Sequence, residues 1–148
     1  MSLAREAIVA AARAWIGTPY RHQASLPGVG CDCLGLVRGV WRELIGPEPQ
    51  ALPPYTPDWA EAGLEDTLLQ AGEAHFTRVE RDNHRAGDVL LFRFRDNLPA
   101  KHVGIATAFG RMVHAHDRAC VAEVALIPFW RRKIVCAFRF PGVDPASD

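Results

Sequence analysis

The hydrophobic period of this chain changes once, near residue 76, and that change narrows the folds open to it. Upstream, apolar residues recur at helical spacing: Leu3, Ala7, Ile8, Ala11, Ala12, Trp15 and Ile16, then Leu36, Val37, Val40, Trp41, Leu44 and Ile45. Downstream, strand-like runs follow one another at 76–79, 88–94, 102–107, 111–115, 120–124 and 134–140. Helices followed by consecutive strands make an α+β domain with a mainly antiparallel sheet. The second helix is apolar enough to pack against that sheet rather than lie on the surface.

Local punctuation agrees with this division. Ser2 is available to cap the first helix and Gly17-Thr18-Pro19 to stop it, while Gly28-Val29-Gly30 forms a flexible approach to the second, which ends at Gly46-Pro47. Prolines at 47, 49, 53, 54 and 57 prevent regular structure and predict a stiff surface loop. Residues 58–72 read as a short helix through Leu64, Leu68 and Leu69. The 148 residues suit a single domain with one core, patterned over about 3–140 with 141–148 as a tail.

Seventeen basic and seventeen acidic residues cancel, so the chain lacks the electrostatic footprint of sequence-independent nucleic-acid binding. The basic run Arg131-Arg132-Lys133 reads as a solvated turn. No apolar run approaches the roughly 20 residues of a membrane span. Ile8 to Ala12 faintly resembles a signal-peptide core, but Arg13 interrupts it and Arg5-Glu6 is a poor cationic leader, so no export signal is expected. Cys31, Cys33, Cys120 and Cys136 are then thiols of a reducing compartment rather than a disulfide framework, with Cys120 and Cys136 packed in apolar strands.

Chemistry concentrates in Gly30-Cys31-Asp32-Cys33-Leu34-Gly35. Asp32 is suited to cap the second helix, which sets Cys33 in its first turn. Unpaired N–H groups there and a neighbouring imidazolium lower a thiol pKa by about 2. Gly35 removes bulk one turn from the sulfur, leaving room for a substrate backbone. Cys31 precedes the cap and gains little. The competing interpretation, a cysteine that merely packs against the sheet, explains neither the glycine-rich approach nor the polar Asp32. A Cys-x-Cys pair with histidines also suggests zinc, but there is no second cysteine pair of usable spacing; no metal and no cofactor are expected. Alkylation near neutral pH should favour Cys33 over Cys120 and Cys136.

Strand parity sorts the histidines. A two-residue loop at Phe109-Gly110 pairs residue 105 with 114 and turns His102 and His114 to opposite faces. A three-residue loop, Ala108-Phe109-Gly110, pairs 104 with 114 and makes them diagonal neighbours, about 7–8 Å apart at Cα. Gly110 suits the left-handed position that ends such loops. His102 would then be a general base with His114 fixing its tautomer, and His116, on the same face and opposite His102, is the rival orienter. His22, His75 and His84 lie in loop-like or charged contexts and read as solvated.

Five segments together resemble the NlpC-type peptidases, papain-like cysteine enzymes of bacterial cell-wall metabolism. They are Gly17-Thr18-Pro19-Tyr20-Arg21, Asp32-Cys33-Leu34-Gly35-Leu36-Val37, Ala86-Gly87-Asp88-Val89-Leu90, His102-Val103-Gly104-Ile105 and Val113-His114-Ala115, in the family's order over about residues 3 to 140. The resemblance implies a small papain-like domain with the nucleophile helix packed on the sheet. It also implies Cys33 as nucleophile, His102 as base and His114, rather than His116, as the orienting residue. Tyr20 would help stabilise the oxyanion with the Cys33 backbone N–H, with Asp32 and Leu34 beside the substrate. The implied reaction is acyl transfer to Cys33 and hydrolysis, typically of the D-γ-glutamyl link to a diamino acid in peptidoglycan stem peptides. Leu34 departs from the serine that usually follows the nucleophile, which alters the substrate subsite more than the chemistry. The Cys-Asp-Cys-Leu-Gly form resembles phage and gene-transfer-particle members. That implies tail proteins as partners and delivery of a cytoplasmically made enzyme to the periplasm or wall by a particle. The alternatives are a tail-tip structural component of little activity, or a papain-like amidase or acyltransferase on another substrate.

Overall fold

The computed structural model describes residues 2–49, 67–116 and 119–146. Two helices open the chain, α1 (Arg5–Arg13) and α2 (Cys33–Leu44), with a hairpin between them formed by β1 (Ser25–Leu26) and β2 (Gly30–Cys31). After α3 (Thr67–His75) come β3 (Thr77–Val79), β4 (Val89–Phe92), β5 (His102–Ala108), β6 (Arg111–His114) and β7 (Ala122–Ala125). A short helix α4 (Pro128–Lys133) leads into β8 (Ile134–Arg139). Strands β3 to β8 form one antiparallel sheet in the order β3-β8-β4-β5-β6-β7. The α+β, nucleophile-helix-on-sheet architecture expected from the change of period is therefore present.

Both faces of the sheet are covered. Val89, Leu91, Val103, Ile105, Val113 and Phe138 point inward against α1 and α2, meeting Ile8, Leu36 and Val40. The alternate residues Leu90, Phe92, Ala106, Met112 and Ala137 point outward and are roofed by Leu126, Trp130 and Ile134 at α4. Two-sided burial explains why β4 is a continuous apolar run with no alternation.

Several local expectations give way to tertiary structure. Ala4, not Ser2, precedes α1 as its N-cap, without a side-chain bond. Gly28-Val29-Gly30 is the turn and second strand of a hairpin rather than a flexible approach, with Gly28 at φ +77°. The basic run forms the end of α4 instead of a turn, started by Pro128 at its first position. The core extends past residue 140: Val143 is buried, and the Leu3 N–H donates to the Gly142 carbonyl at 2.8 Å, tying the N-terminal segment to the supposed tail. Of the expected proline loop, Pro47 and Pro49 are described, whereas Pro53, Pro54 and Pro57 lie outside the described residues, as do 58–66 of the expected helix.

A buried ion pair joins the two halves. Arg5 at the start of α1 donates to Asp88 Oδ1 at 2.8 Å and to the Ala86 carbonyl at 3.0 Å, both charged side chains being almost fully buried. Asp88 Oδ2 accepts the Arg85 N–H, and Gly87, at φ +91°, donates its N–H to the Ala106 carbonyl. The Ala86-Gly87-Asp88 segment thus fastens α1 to β4 and β5.

Candidate active site

Asp32 caps α2 as its position in sequence implies. Its Oδ1 accepts the Gly35 N–H at 2.7 Å, while Oδ2 accepts the Gln23 N–H at 2.7 Å, so one buried carboxylate serves both the helix start and the preceding loop. Gln23 is held at φ +65°, a left-handed conformation unusual for a side-chain-bearing residue. Both Asp32 oxygens are thereby engaged by backbone, which makes it a positioning residue for the cysteine. Gly35 has a different reason from the one its spacing suggests: a Cβ there would collide with the Ala24 carbonyl. The room is taken by the chain's own loop, locked by Ser25 Oγ donating to the Gly35 carbonyl at 2.6 Å.

Cys33 is the first residue of α2 and half-buried. Its sulfur lies among three backbone N–H groups, those of Val103, Leu34 and Cys33 itself. The Val103 contact brings the thiol to the start of β5, one residue from His102. His102 and His114 lie together on the outward face: His102 Nε2 and His114 Nδ1 are 2.9 Å apart. His116 is exposed, its ring 5.8 Å from that of His102.

The histidine register arises in a way parity alone did not foresee. The β5–β6 turn has two residues, with Ala108 opposite Arg111 and Gly110 at φ +88°. An irregularity between Ala106 and Ala108 then shifts the pairing to Ala106 with Met112 and Ile105 with Val113. This is the register of the three-residue loop, produced by a bulge at Thr107. Without it, His102 and His114 would face opposite ways.

The electrostatics reverse one sequence expectation. Burial, reinforced by Asp32, pushes the Cys33 thiol up to about 12, against the three N–H groups that pull it down. Burial also holds His102 well below the ordinary histidine range, with His114 and His116 adding to the effect. Burial, then His116, lowers His114 to about 4. Burial thus favours a neutral thiol and neutral imidazoles at Cys33, His102 and His114 over a thiolate–imidazolium pair. The alkylation order changes with it, because Cys120 is exposed rather than packed: 119–121 pair with Gly17, Pro19 and Tyr20 at the domain edge. Cys31 and Cys136 are buried thiols, and burial with Asp32 raises Cys31 to about 12.

The same histidines make stability sensitive to acid. His114 titrates near 6.5 when unfolded and about 4 when folded, so between those values the unfolded chain binds more protons and stability falls as pH drops. A loss of about 3 kcal/mol between pH 6.5 and 4 is expected from His114. Urea unfolding of the protein and of His114→Gln at both pH values checks it; an equal acid dependence in both would refute the assignment.

Tyr20 is half-buried on the inner core, its backbone bridged to Cys31 and its N–H bonded to the Ala119 carbonyl. Leu34 lines an apolar cleft of about 100 Å³ with Val37, Trp41, Phe76 and Val103. Among the histidines expected to be solvated, His84 is buried, with Nδ1 donating to the Arg81 carbonyl at 2.7 Å. His22 is half-buried, 3.9 Å from Asp32. Trp130, absent from any sequence motif, is the residue that sequence reasoning missed: its ring is 5.5 Å from His102 and 5.0 Å from His114. Nothing in the sequence marks it beyond an aromatic in an amphipathic segment.

This chain and its fold have relatives. Residues 17–139 match the model of the NlpC/P60 family. The chain is 31% identical over 137 residues to the gamma-DL-glutamyl hydrolase of Bacillus subtilis (strain 168), covering 92% of this chain and 29% of that protein. It is 32% identical over 120 residues to the murein DD-endopeptidase/LD-carboxypeptidase MepS of Escherichia coli (strain K12), covering 80% of this chain and 54% of MepS. Among solved structures, the NlpC/p60 domain of the peptidoglycan hydrolase SagA superposes with a TM-score of 0.67 at 25% identity, covering 93% of this chain and all of that domain. The chain belongs to the NlpC/P60 family. It spans about half the length of MepS and less than a third of the Bacillus enzyme.

Proposed function

We propose that this protein is a cysteine peptidase that hydrolyses peptidoglycan stem peptides, cutting the D-γ-glutamyl bond to a diamino acid. The observation that carries the reading is the His102–His114 contact at 2.9 Å, at the start of the strand whose Val103 backbone acts on the Cys33 thiol. Family membership and the murein and glutamyl hydrolases among the relatives support the substrate class.

In this mechanism His102 donates Nε2–H to His114 Nδ1, which leaves its own Nδ1 lone pair for the Cys33 proton. The thiol loses that proton as the sulfur attacks the acyl carbon, since little thiolate exists beforehand. The developing oxyanion is met by the Cys33 N–H and Tyr20. His102 returns the proton to the departing amine, and water releases the acyl group from sulfur by the reverse transfers. Leu34, next to Cys33, borders the apolar cleft and would shape the substrate subsite beside the nucleophile. Delivery by a phage-like particle, with tail proteins as partners, belongs to the same proposal and rests on the Cys-Asp-Cys-Leu-Gly resemblance. Proteomic detection of the chain in purified particles tests that part; its absence from them refutes it.

The central test is digestion of purified peptidoglycan peptides by the protein and by Cys33→Ala, read by mass spectrometry. A new amine on the diamino acid, formed only by the protein with Cys33 intact, is the expected result. Equal absence of cleavage in both overturns the enzymatic reading, and a different product mass overturns the bond assignment.

A further inference from the structure

We propose that Trp130 is a positioning residue of this site, whose indole face holds the His102 ring and stabilises the imidazolium formed when His102 takes the Cys33 proton. The inference rests on the Cys33–His102 assignment above and adds to it the group that makes the base workable.

The need for such a group follows from the surroundings of His102. Its ring is buried and flanked by Phe92 and Phe94 from β4 and the segment after it, by His114 and His116 from β6 and its continuation, and by Trp130 from α4. Cys33 on α2 meets the backbone of Val103, the residue after His102, and Lys101 lies 5.6 Å over the Phe94 ring. The charged or titratable groups on this side are thus three imidazoles, a thiol and a lysine, and no carboxylate among the described residues acts on His102. A proton transferred from Sγ to Nδ1 leaves a cation at a place that disfavours one. His114 can accept the Nε2–H bond, but that covers one edge of the ring only.

Trp130 covers a face. Its ring lies 5.5 Å from His102 at 27°, near-parallel, while it meets His114 at 5.0 Å and 80° and His116 at 5.4 Å and 89°, edge-on. One indole is therefore the common wall of all three imidazoles. The negative face of an indole attracts a cation within about 6 Å, most strongly where water is excluded. Trp130 is itself 9% exposed. Its helix is fixed in place: the Arg93 N–H donates to the Lys133 carbonyl at 2.9 Å, and Lys133 Nζ donates to the Phe94 carbonyl at 2.8 Å. A six-residue helix started by proline thus presents one aromatic side chain to the dyad.

The step balances within the chain. The proton leaves Sγ for Nδ1 as the S–C bond forms and the carbonyl π pair moves to oxygen. The same proton leaves Nδ1 for the amine as the C–N bond breaks. Trp130 takes no part in these bond changes; its face holds the ring and stabilises it while His102 carries the charge.

The test compares Trp130→Phe with Trp130→Leu on purified stem peptides across pH. Trp130→Leu should lower kcat by about 5- to 30-fold with KM within about twofold, the range of a desolvated cation–π contact. The acid limb of kcat/KM should move to lower pH by about 0.7 to 1.5 units, because losing the indole face disfavours imidazolium in the free enzyme. Trp130→Phe, which keeps a π face, should stay within about threefold. Equal losses in the two variants, or an unmoved acid limb, would overturn the inference. As a measurement independent of turnover, ¹⁵N titration of His102 should show a lower pKa in Trp130→Leu than in Trp130→Phe, both in the Cys33→Ala background; identical titrations refute it. An inactive parent protein indifferent to Cys33→Ala refutes the peptidase itself, whereas an active parent with a fully active Trp130→Leu refutes this role alone.

Discussion

His102→Ala should lower kcat/KM by at least about 10⁴-fold, the scale on which members of a concerted nucleophile–base unit fail. The size follows from the resting state. With the Cys33 thiol at about 12, only about one molecule in 10⁴ carries thiolate at pH 8, so attack depends on a base that removes the proton during the reaction. An enzyme with a preformed thiolate would lose less. The pH profile separates the two cases. His102 must be unprotonated to act, and its folded pKa lies well below 6.5, so kcat/KM should be flat from pH 6.5 to 8 with its acid limb well below 6.5. An acid limb at or above 6.5 would contradict a buried neutral base. Iodoacetamide should modify Cys120 before Cys33 at pH 7 without substrate, and Cys33 labelling should climb through pH 9 without a plateau. Faster labelling of Cys33 at neutral pH would show a thiolate that burial ought to suppress.

Asp88→Ala destabilises the protein by about 3–5 kcal/mol, which for a domain of this size is a fall in Tm of roughly 10 °C. Arg5 and Asp88 are 4% and 2% exposed, and Arg5 Nε already lacks a partner among the described residues, so removing the carboxylate leaves a buried guanidinium with only the Ala86 carbonyl. Removing both charges should cost less than removing one. Arg5→Met with Asp88→Leu is therefore expected to recover much of the loss, because the penalty lies in the uncompensated charge rather than in the missing attraction. Chemical denaturation of the parent protein, Asp88→Ala and the double variant measures this. A loss below about 1 kcal/mol in Asp88→Ala would mean that the pair is hydrated in solution.

These two effects divide the segments that pointed to the family. Cys33 and His102 carry chemistry in the proposed mechanism, whereas Ala86-Gly87-Asp88 fastens α1 to the sheet. Both kinds of segment are equally visible in sequence, and only their partners distinguish them. Arg5, 83 positions away from Asp88, could not be named as its partner from spacing.

The order of helices and strands, the cap on α2 and the candidacy of Cys33, His102 and His114 were determined by the amino-acid sequence alone. Each depends on residues close in the chain: a hydrophobic period, an aspartate three residues before the N–H it accepts, a glycine in a hairpin turn. The tertiary structure decided the rest. The bulge at Thr107 chose between two registers that local sequence allowed, and so placed both histidines on one face. Burial raised Cys33 and depressed the imidazoles, cancelling the activation that a helix start by itself suggests. It also hid His84, exposed Cys120 at the pairing with Pro19, and set Trp130 against His102. Desolvation and ring contact depend on what the rest of the chain brings to a point in space, and no window of neighbouring residues contains that information.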